Sequence, residues 1–160
     1  LLIRPPAATV PPPSPAVTVE QITTPAALAD WERVVIEGYP LPELLSPPPS
    51  SLPPRTGVLA AAGVLDDPRV RLTVSREEGR AVSIGALFVS GELGLFALGV
   101  TRPEARRRGH WLSHAVHRLI EVPQRWTAGV FSDHSRSPAQ RLGFVPVLRL
   151  TLWSRSRRPC

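Results

Sequence analysis

Proline sets the first constraint on this chain. Of its 20 prolines, six fall in residues 5–15 and seven in residues 40–54. Proline has no N–H to give to a helix or a ladder, so neither stretch can be a helix interior or a central strand. Residues 1–15 read as a Pro-rich linker or the end of a preceding segment, with Leu1 to Ile3, before the prolines, as the end of that segment. The stretch Ser46-Pro-Pro-Pro-Ser-Ser-Leu-Pro-Pro54 reads as a long loop inside a domain over residues 16–153. Residues 154–160 form a basic tail.

Regular elements are expected between and after the proline clusters. Ala16 to Ile22 alternates like a short strand. Thr24 caps a helix with Pro25 at its first position, and Leu28, Trp31 and Val35 share one face until Gly38 and Pro40 stop it. Thr56 to Leu65 is helical or irregular, and Asp66-Asp67-Pro68 is a turn. Three strand-like runs follow at Val70–Ser75, Ala81–Ser90 and Leu93–Val100, separated by short turns, which predicts an antiparallel meander. Gly94 and Gly99 inside the third run mark bulges or close backbone approach. From Gly109 to Glu121, the residues Leu112, Ala115, Val116 and Leu119 make an apolar helical stripe extended by Ile120, and Pro123 ends it. A strand over Trp126–Ser132, a helix over Ser137–Leu142 and a strand over Val145–Trp153 complete the pattern. The fold class is mixed α+β, a sheet flanked by helices.

Composition narrows the function classes. With 160 residues and 42% hydrophobic content, the chain can build one domain with a core. Its apolar runs are too short to span a bilayer, and no signal peptide is evident, so a cytoplasmic protein is expected. The single cysteine, Cys160, excludes an internal disulfide framework. The absence of Met points to a processed chain or a piece of a longer one. All 19 basic residues are Arg, and Asn is absent too, a pattern that a GC-rich genome explains. Charge is uneven. Residues 1–100 carry 7 Arg and 10 acids, net −3; residues 101–160 carry 12 Arg and 3 acids, net +9. The second part therefore suits a phosphate-bearing partner. A nucleic-acid binder would interleave aromatics with the Arg or show a known module, and neither is evident.

The chemistry concentrates in Gly99-Val-Thr-Arg-Pro-Glu-Ala-Arg-Arg-Arg-Gly-His-Trp111. A strand delivers the chain to an Arg-rich turn, and a helix begins at Gly109. Free N–H groups at the helix start, the positive end of its dipole and Arg106, Arg107 and Arg108 make an anion site. Gly109 lets a phosphate approach the backbone. His110, His114 and His117 lie near one helix face, where paired His can ligate zinc, but no nearby acid or Cys in the sequence completes such a set. They read as a polar face, and no metal is expected. His134 is isolated in a loop.

Arg106-Arg-Arg-Gly109-His-Trp111 resembles the Arg/Gln-x-x-Gly-x-Gly/Ala turn of the Gcn5-related N-acetyltransferases. Thr101-Arg-Pro103 and Glu104-Ala105 before it, Arg141-Leu-Gly-Phe144 downstream and the order of elements strengthen the likeness, which covers roughly Ala16 to Trp153. The resemblance implies acetyl-CoA as co-substrate, lying where Leu93–Val100 and Trp126–Ser132 splay. Backbone groups of Gly99, Val100 and Thr101 would meet the pantetheine. Arg106, Arg107, Arg108, Gly109, His110 and Trp111 would hold the pyrophosphate. An amine of a small-molecule or peptide acceptor would attack the thioester directly, with the oxyanion on a strand N–H.

Two positions depart from the family pattern. Trp111 stands where the turn usually has a second Gly or Ala, and Ala139 where a Tyr often acts as acid to the thiolate. Glu92 is the candidate base, with Glu20, Glu37 and Glu43 behind it and Tyr39 as the only Tyr. The alternative is a catalytically degenerate CoA-binding or structural domain of a longer protein. Neither the acceptor nor the oligomeric state can be read from the residues.

Overall fold

The structure, a computed structural model, describes residues 1–6, 8–38 and 62–151; the second proline cluster, Tyr39, Glu43 and the basic tail lie outside the described residues. The meander forms as expected and is slightly longer: β3 (Val70–Glu77), β4 (Arg80–Ser90) and β5 (Leu93–Thr101) pair antiparallel in sequence order. β4 is buried from Ala81 to Leu87, as a strand covered on both faces must be. β5 then pairs in parallel with β6 (Trp126–Gly129). That parallel step requires a crossover, which α2 (His110–Glu121) supplies.

Two edges of the sheet differ from the sequence expectation. The strand expected over 16–22 is only Glu20–Gln21 (β2), although Ile22 continues the contact by donating its N–H to Leu72 O at 2.8 Å. The first residues, expected within a linker, are instead a strand, β1 (Leu2–Arg4). It inserts between β6 and β7 (Val145–Pro146), antiparallel to both, so the sheet order is β2-β3-β4-β5-β6-β1-β7. The final strand is shorter than the expected 145–153 because β1 offers it only Leu2 and Ile3 as ladder partners. Three residues of strand carry too weak a periodic signal to be seen beside six prolines.

Helix α1 (Pro25–Gly38) is capped as predicted: Ala27 N–H donates to Thr24 Oγ1 at 3.2 Å. It covers one face of the sheet, packing Leu28, Trp31, Val34 and Val35 on Leu72, Val74, Ile84, Ala86 and Val100. Helices α2 and α3 (Asp133–Arg141) cover the other, with Ala115, Val116, Leu119, Ala139, Leu142 and Phe144 on Leu2, Leu87 and Phe96. α3 starts earlier than the expected Ser137 and ends in a Schellman turn. Gly143 adopts φ +88°, its N–H donates to Gln140 O at 2.9 Å, and Phe144 N–H donates to Ala139 O at 3.2 Å. The Arg-Leu-Gly-Phe motif is thus a helix stop whose Phe is driven into the core. Arg4 seals that stop from β1. It is 1% exposed, and its Nε donates to Leu142 O at 2.8 Å.

α2 is oriented differently from its hydrophobic stripe. Leu112 and Ile120 are 44% and 49% exposed, while His110, Ser113, His114 and Arg118 are buried. Only Ala115, Val116 and Leu119 of the expected stripe reach the apolar core. The remaining circumference faces β3 and β4, where polar side chains wait for it. Among the described residues no helix is long and apolar enough to cross a membrane.

Candidate functional site

β5 and β6 pair from Leu93 with Trp126 to Phe96 with Gly129, and β5 runs on to Thr101 without that partner. A cleft therefore opens beyond Phe96. Along this open stretch β5 is bulged. Ile84 pairs with Val100 but Ala86 with Ala97, so Leu98 and Gly99 drop out of the β4 ladder, and Leu98 takes φ +45°. A left-handed Leu is strained backbone, tolerated here because the flanking ladder fixes it. The bulge expected at Gly99 is present; Gly94 instead marks close approach, its missing Cβ lying 3.2 Å from Val122.

Beyond Thr101 a short 3₁₀ turn, Pro103–Ala105, leads into the Arg-rich turn. Arg107 and Gly109 have φ +66° and +89°, which curls the backbone into the start of α2. The first helical bond is Ser113 N–H to Gly109 O at 3.0 Å, so the N–H groups of His110, Trp111 and Leu112 have no intrahelical acceptor. A side chain built at Gly109 would meet nothing within 4 Å, so the turn is open. The three Arg differ. Arg106 reaches away from the turn and donates to Thr101 O at 3.3 Å and Gly38 O at 3.2 Å, tying β5 to the end of α1. Arg108 pairs with Glu77 at 2.8 Å. Arg107 has no hydrogen-bonding partner among the described residues and is exposed.

Glu92 lies at the other end of β5, where its carbonyl accepts Trp126 N–H at 2.9 Å, on the paired side of the cleft's vertex. Four residues of strand, about 13 Å, separate it from the opening, so it is not placed to act there. Glu37 is spent on Arg102 and Arg80, and Glu20 lies against Arg76 on β3. His134 is exposed on α3.

The three histidines of α2 are not a solvent-facing polar row. His110 and His114 are buried against β3, in a chain of hydrogen bonds that sequence reading missed. Thr73 Oγ1 donates to Gly85 O at 3.3 Å and so accepts from His114 Nδ1 at 2.9 Å. His114 Nε2 then accepts from Ser75 Oγ at 3.1 Å, and Ser75 accepts from His110 Nδ1 at 2.9 Å. His110 Nε2 lies 2.9 Å from Glu77 Oε1, a hydrogen-bond contact that helps hold that carboxyl below its ordinary range. Burial, with Arg118 nearby, pushes His114 down to about 3, so it is neutral in the core. The acid beside His110 comes from β3, and His117 pairs with Glu121 of its own helix at 2.9 Å. No group of three potential ligands is placed to hold a metal among the described residues. The signal was the period-two row Thr73, Ser75, Glu77 opposite the period-four row His110, His114, Arg118.

Solved structures with this arrangement exist. A Gcn5-related N-acetyltransferase from Kribbella flavida superposes with TM-score 0.60 at 18% identity over 91% of this chain. This chain spans 52% of that protein, about half its length. The aminoglycoside N-acetyltransferase AAC(6′)-Iy in complex with CoA gives TM-score 0.61 at 15% identity, over 91% of this chain and 99% of its own. Glucosamine-6-phosphate N-acetyltransferase from Arabidopsis thaliana gives 0.61 at 11%, over 86% and 97%. The fold is that of the Gcn5-related N-acetyltransferases. No family model matches the sequence, and no curated protein does.

Within the Gcn5-related fold the two departures now have places. Trp111 is half-buried and stacks edge-on with Phe131 at 6.2 Å, in a row that continues through Phe144 to Phe96. Its indole also packs on Gly99 of β5, with Nε1 3.2 Å from where a Cβ would lie. Ala139, on α3, is fully buried in the core with Ala115, Val116 and Leu119 of α2, so that position offers the cleft no hydroxyl.

Proposed function

We propose that the chain is an acyl-CoA-dependent N-acyltransferase domain that moves an acetyl group from acetyl-CoA to an amine. The observation that carries this is that β5 parts from β6 after Phe96 and leads through Thr101 to the open turn at Gly109. The fit is good at the turn. Three N–H groups without intrahelical acceptors, a glycine with free space and the uncommitted Arg107 suit a pyrophosphate. Gly109, His110 and Trp111 would hold it through their backbone, with Arg107 and Arg108 adding charge. Arg106 acts one step back, by fixing the end of β5. Gly99, Val100 and Thr101 border the pantetheine path, although Val100 O already accepts from Ser83 Oγ at 2.9 Å. CoA would supply an activated acyl group as a thioester. The bulge frees Leu98 and Gly99 from β4, so a backbone N–H there can meet the developing oxyanion. The acceptor would be a small-molecule or peptide amine in a cytoplasmic setting, approaching from the α1 side. The second reading is a domain that binds CoA and transfers little, favoured by Trp111 in the cleft and by the buried Ala139.

Calorimetric titration with acetyl-CoA, using desulfo-CoA as the non-reactive control, tests the reading. We expect saturable one-to-one binding. Gly109→Asp should weaken it by about tenfold, because a carboxylate at the helix start opposes the phosphates by roughly 1–2 kcal/mol. Gly91→Asp is the matched control: Gly91 also has positive φ (+52°) and open space, but sits in the turn between β4 and β5. Equal losses in the two variants would remove the anion turn from the model. Binding without turnover on any amine would favour the second reading.

A further inference from the structure

The turn before α2 is tied down at both of its ends. On the incoming side Arg106 donates to Thr101 O at 3.3 Å and to Gly38 O at 3.2 Å. On the outgoing side both ties come from one residue of β3. Glu77 Oε2 accepts from Arg108 Nη1 at 2.8 Å, and Glu77 Oε1 lies 2.9 Å from His110 Nε2. Arg108 and His110 are the two neighbours of Gly109, so a single carboxylate grips the chain on each side of that glycine. The contacts span 31 and 33 residues, and no local pattern announces them.

The grip has a firm base. Glu77 closes β3 and pairs with Arg80 across the hairpin. Ser75 lies two residues earlier on the same face of the strand, and its Oγ is 2.9 Å from His110 Nδ1. Both ring nitrogens of His110 are therefore held by one strand, and its side chain is 4% exposed. The turn needs such a hold. Arg107 has φ +66° and Gly109 φ +89°. Left-handed backbone at a residue other than glycine persists only where its surroundings fix it. The Arg107 side chain has no hydrogen-bonding partner among the described residues, so the residues on either side of it must do the fixing.

Charge alone argues for the opposite effect. A carboxylate this near a helix start opposes a bound phosphate and draws Arg108 away from it. If charge were all that mattered, removing Glu77 would tighten anion binding. Geometry argues the other way, because a ligand meets preset N–H groups without the cost of ordering them.

We propose that Glu77 is a positioning residue for the anion turn: by holding Arg108 and His110 it presets the N–H groups of His110, Trp111 and Leu112 for a phosphate-bearing ligand. That this ligand is CoA rests on the reading above. That Glu77 shapes the turn does not.

Three substitutions separate geometry from charge. Glu77→Gln removes the charge but keeps the length, so its amide still reaches both partners. Glu77→Asp keeps the charge but is one methylene shorter, so it cannot span both. Glu77→Ala loses charge and reach together. In calorimetric titration with acetyl-CoA, Glu77→Gln should bind like the wild type, and Glu77→Asp and Glu77→Ala about tenfold more weakly. Thermal unfolding shows which variants are folded; if Glu77→Ala is not, Glu77→Asp against Glu77→Gln decides. A loss in Glu77→Gln with Glu77→Asp unchanged makes the role electrostatic and overturns the assignment. Unchanged or tighter binding in Glu77→Asp and Glu77→Ala overturns it too. If the folded wild type does not bind acetyl-CoA, the CoA reading falls, and inorganic pyrophosphate becomes the probe. Shifts of the His110 and Trp111 amide resonances with pyrophosphate, retained in Glu77→Gln and weakened in Glu77→Asp, sustain Glu77; no shift in the wild type overturns it as well.

Discussion

His114 shows how much a single side chain here depends on its neighbours. It is fully buried between Thr73 and Ser75 of β3, with His110, His117 and Arg118 on its own helix and the Ser83 backbone of β4 beside it. Burial lowers it from 6.5 to about 3. The unfolded chain therefore takes up a proton that the folded chain refuses. The stability this group contributes is complete above about pH 6.5 and is lost as pH falls towards 3. The slope is at most about 1.4 kcal/mol per pH unit for one proton. Glu77 and Glu121, both held down by His and Arg partners, add their loss only below the ordinary carboxylate range of 4.5. Denaturant unfolding between pH 6.5 and 4.5 should show a steep decline in the wild type and a flatter one in His114→Gln. Parallel profiles would show that His114 does not stay neutral in the core.

At the scale of elements, local chemistry was legible wherever one turn of chain decides the outcome. The Thr24 cap with Pro25 at the first position, the Asp66-Asp67-Pro68 turn and the three meander strands form where the residues place them. The stop of α3 belongs to the same class. Gly143 needs φ +88°, so Gly143→Ala should cost about 1 kcal/mol through backbone strain, seen as a lower unfolding midpoint with unchanged m-value. The orientation of α2 was not legible in the same way. A hydrophobic stripe predicts burial of Leu112 and Ile120, whereas the helix turns His110, His114 and Arg118 inward. Polar groups can be buried only when partners exist, and those partners sit on β3 and β4, more than 30 residues away.

Across the whole molecule, the decisive feature is the insertion of β1 between β6 and β7. It joins residues 2–4 to residues 127–129 and 145–146. Ile3 pairs with Ala128 on one side and Val145 on the other. Ile3→Pro removes a ladder donor from an internal strand and should destabilise the chain by about 2 kcal/mol or more. In a linker the same change would be neutral, so thermal unfolding separates the two. The charge asymmetry also looks different at this scale. Arg102 and Arg118 are buried, and Arg106 and Arg108 are exposed but hydrogen-bonded within the fold, so part of the positive charge of the second part is committed to internal contacts.

The sequence by itself determined the α+β class, the meander, the caps and stops of the helices and the anion turn at Gly109. Each depends on residues a few positions apart, whose backbone preferences act before any distant contact forms. Only the tertiary structure decided that β1 completes the sheet, that β3 solvates the buried histidines, and that Trp111 and Arg118 pack against Gly99. These depend on which surfaces meet. A strand becomes internal, or a guanidinium becomes tolerable in a core, only through partners that neighbouring sequence does not contain.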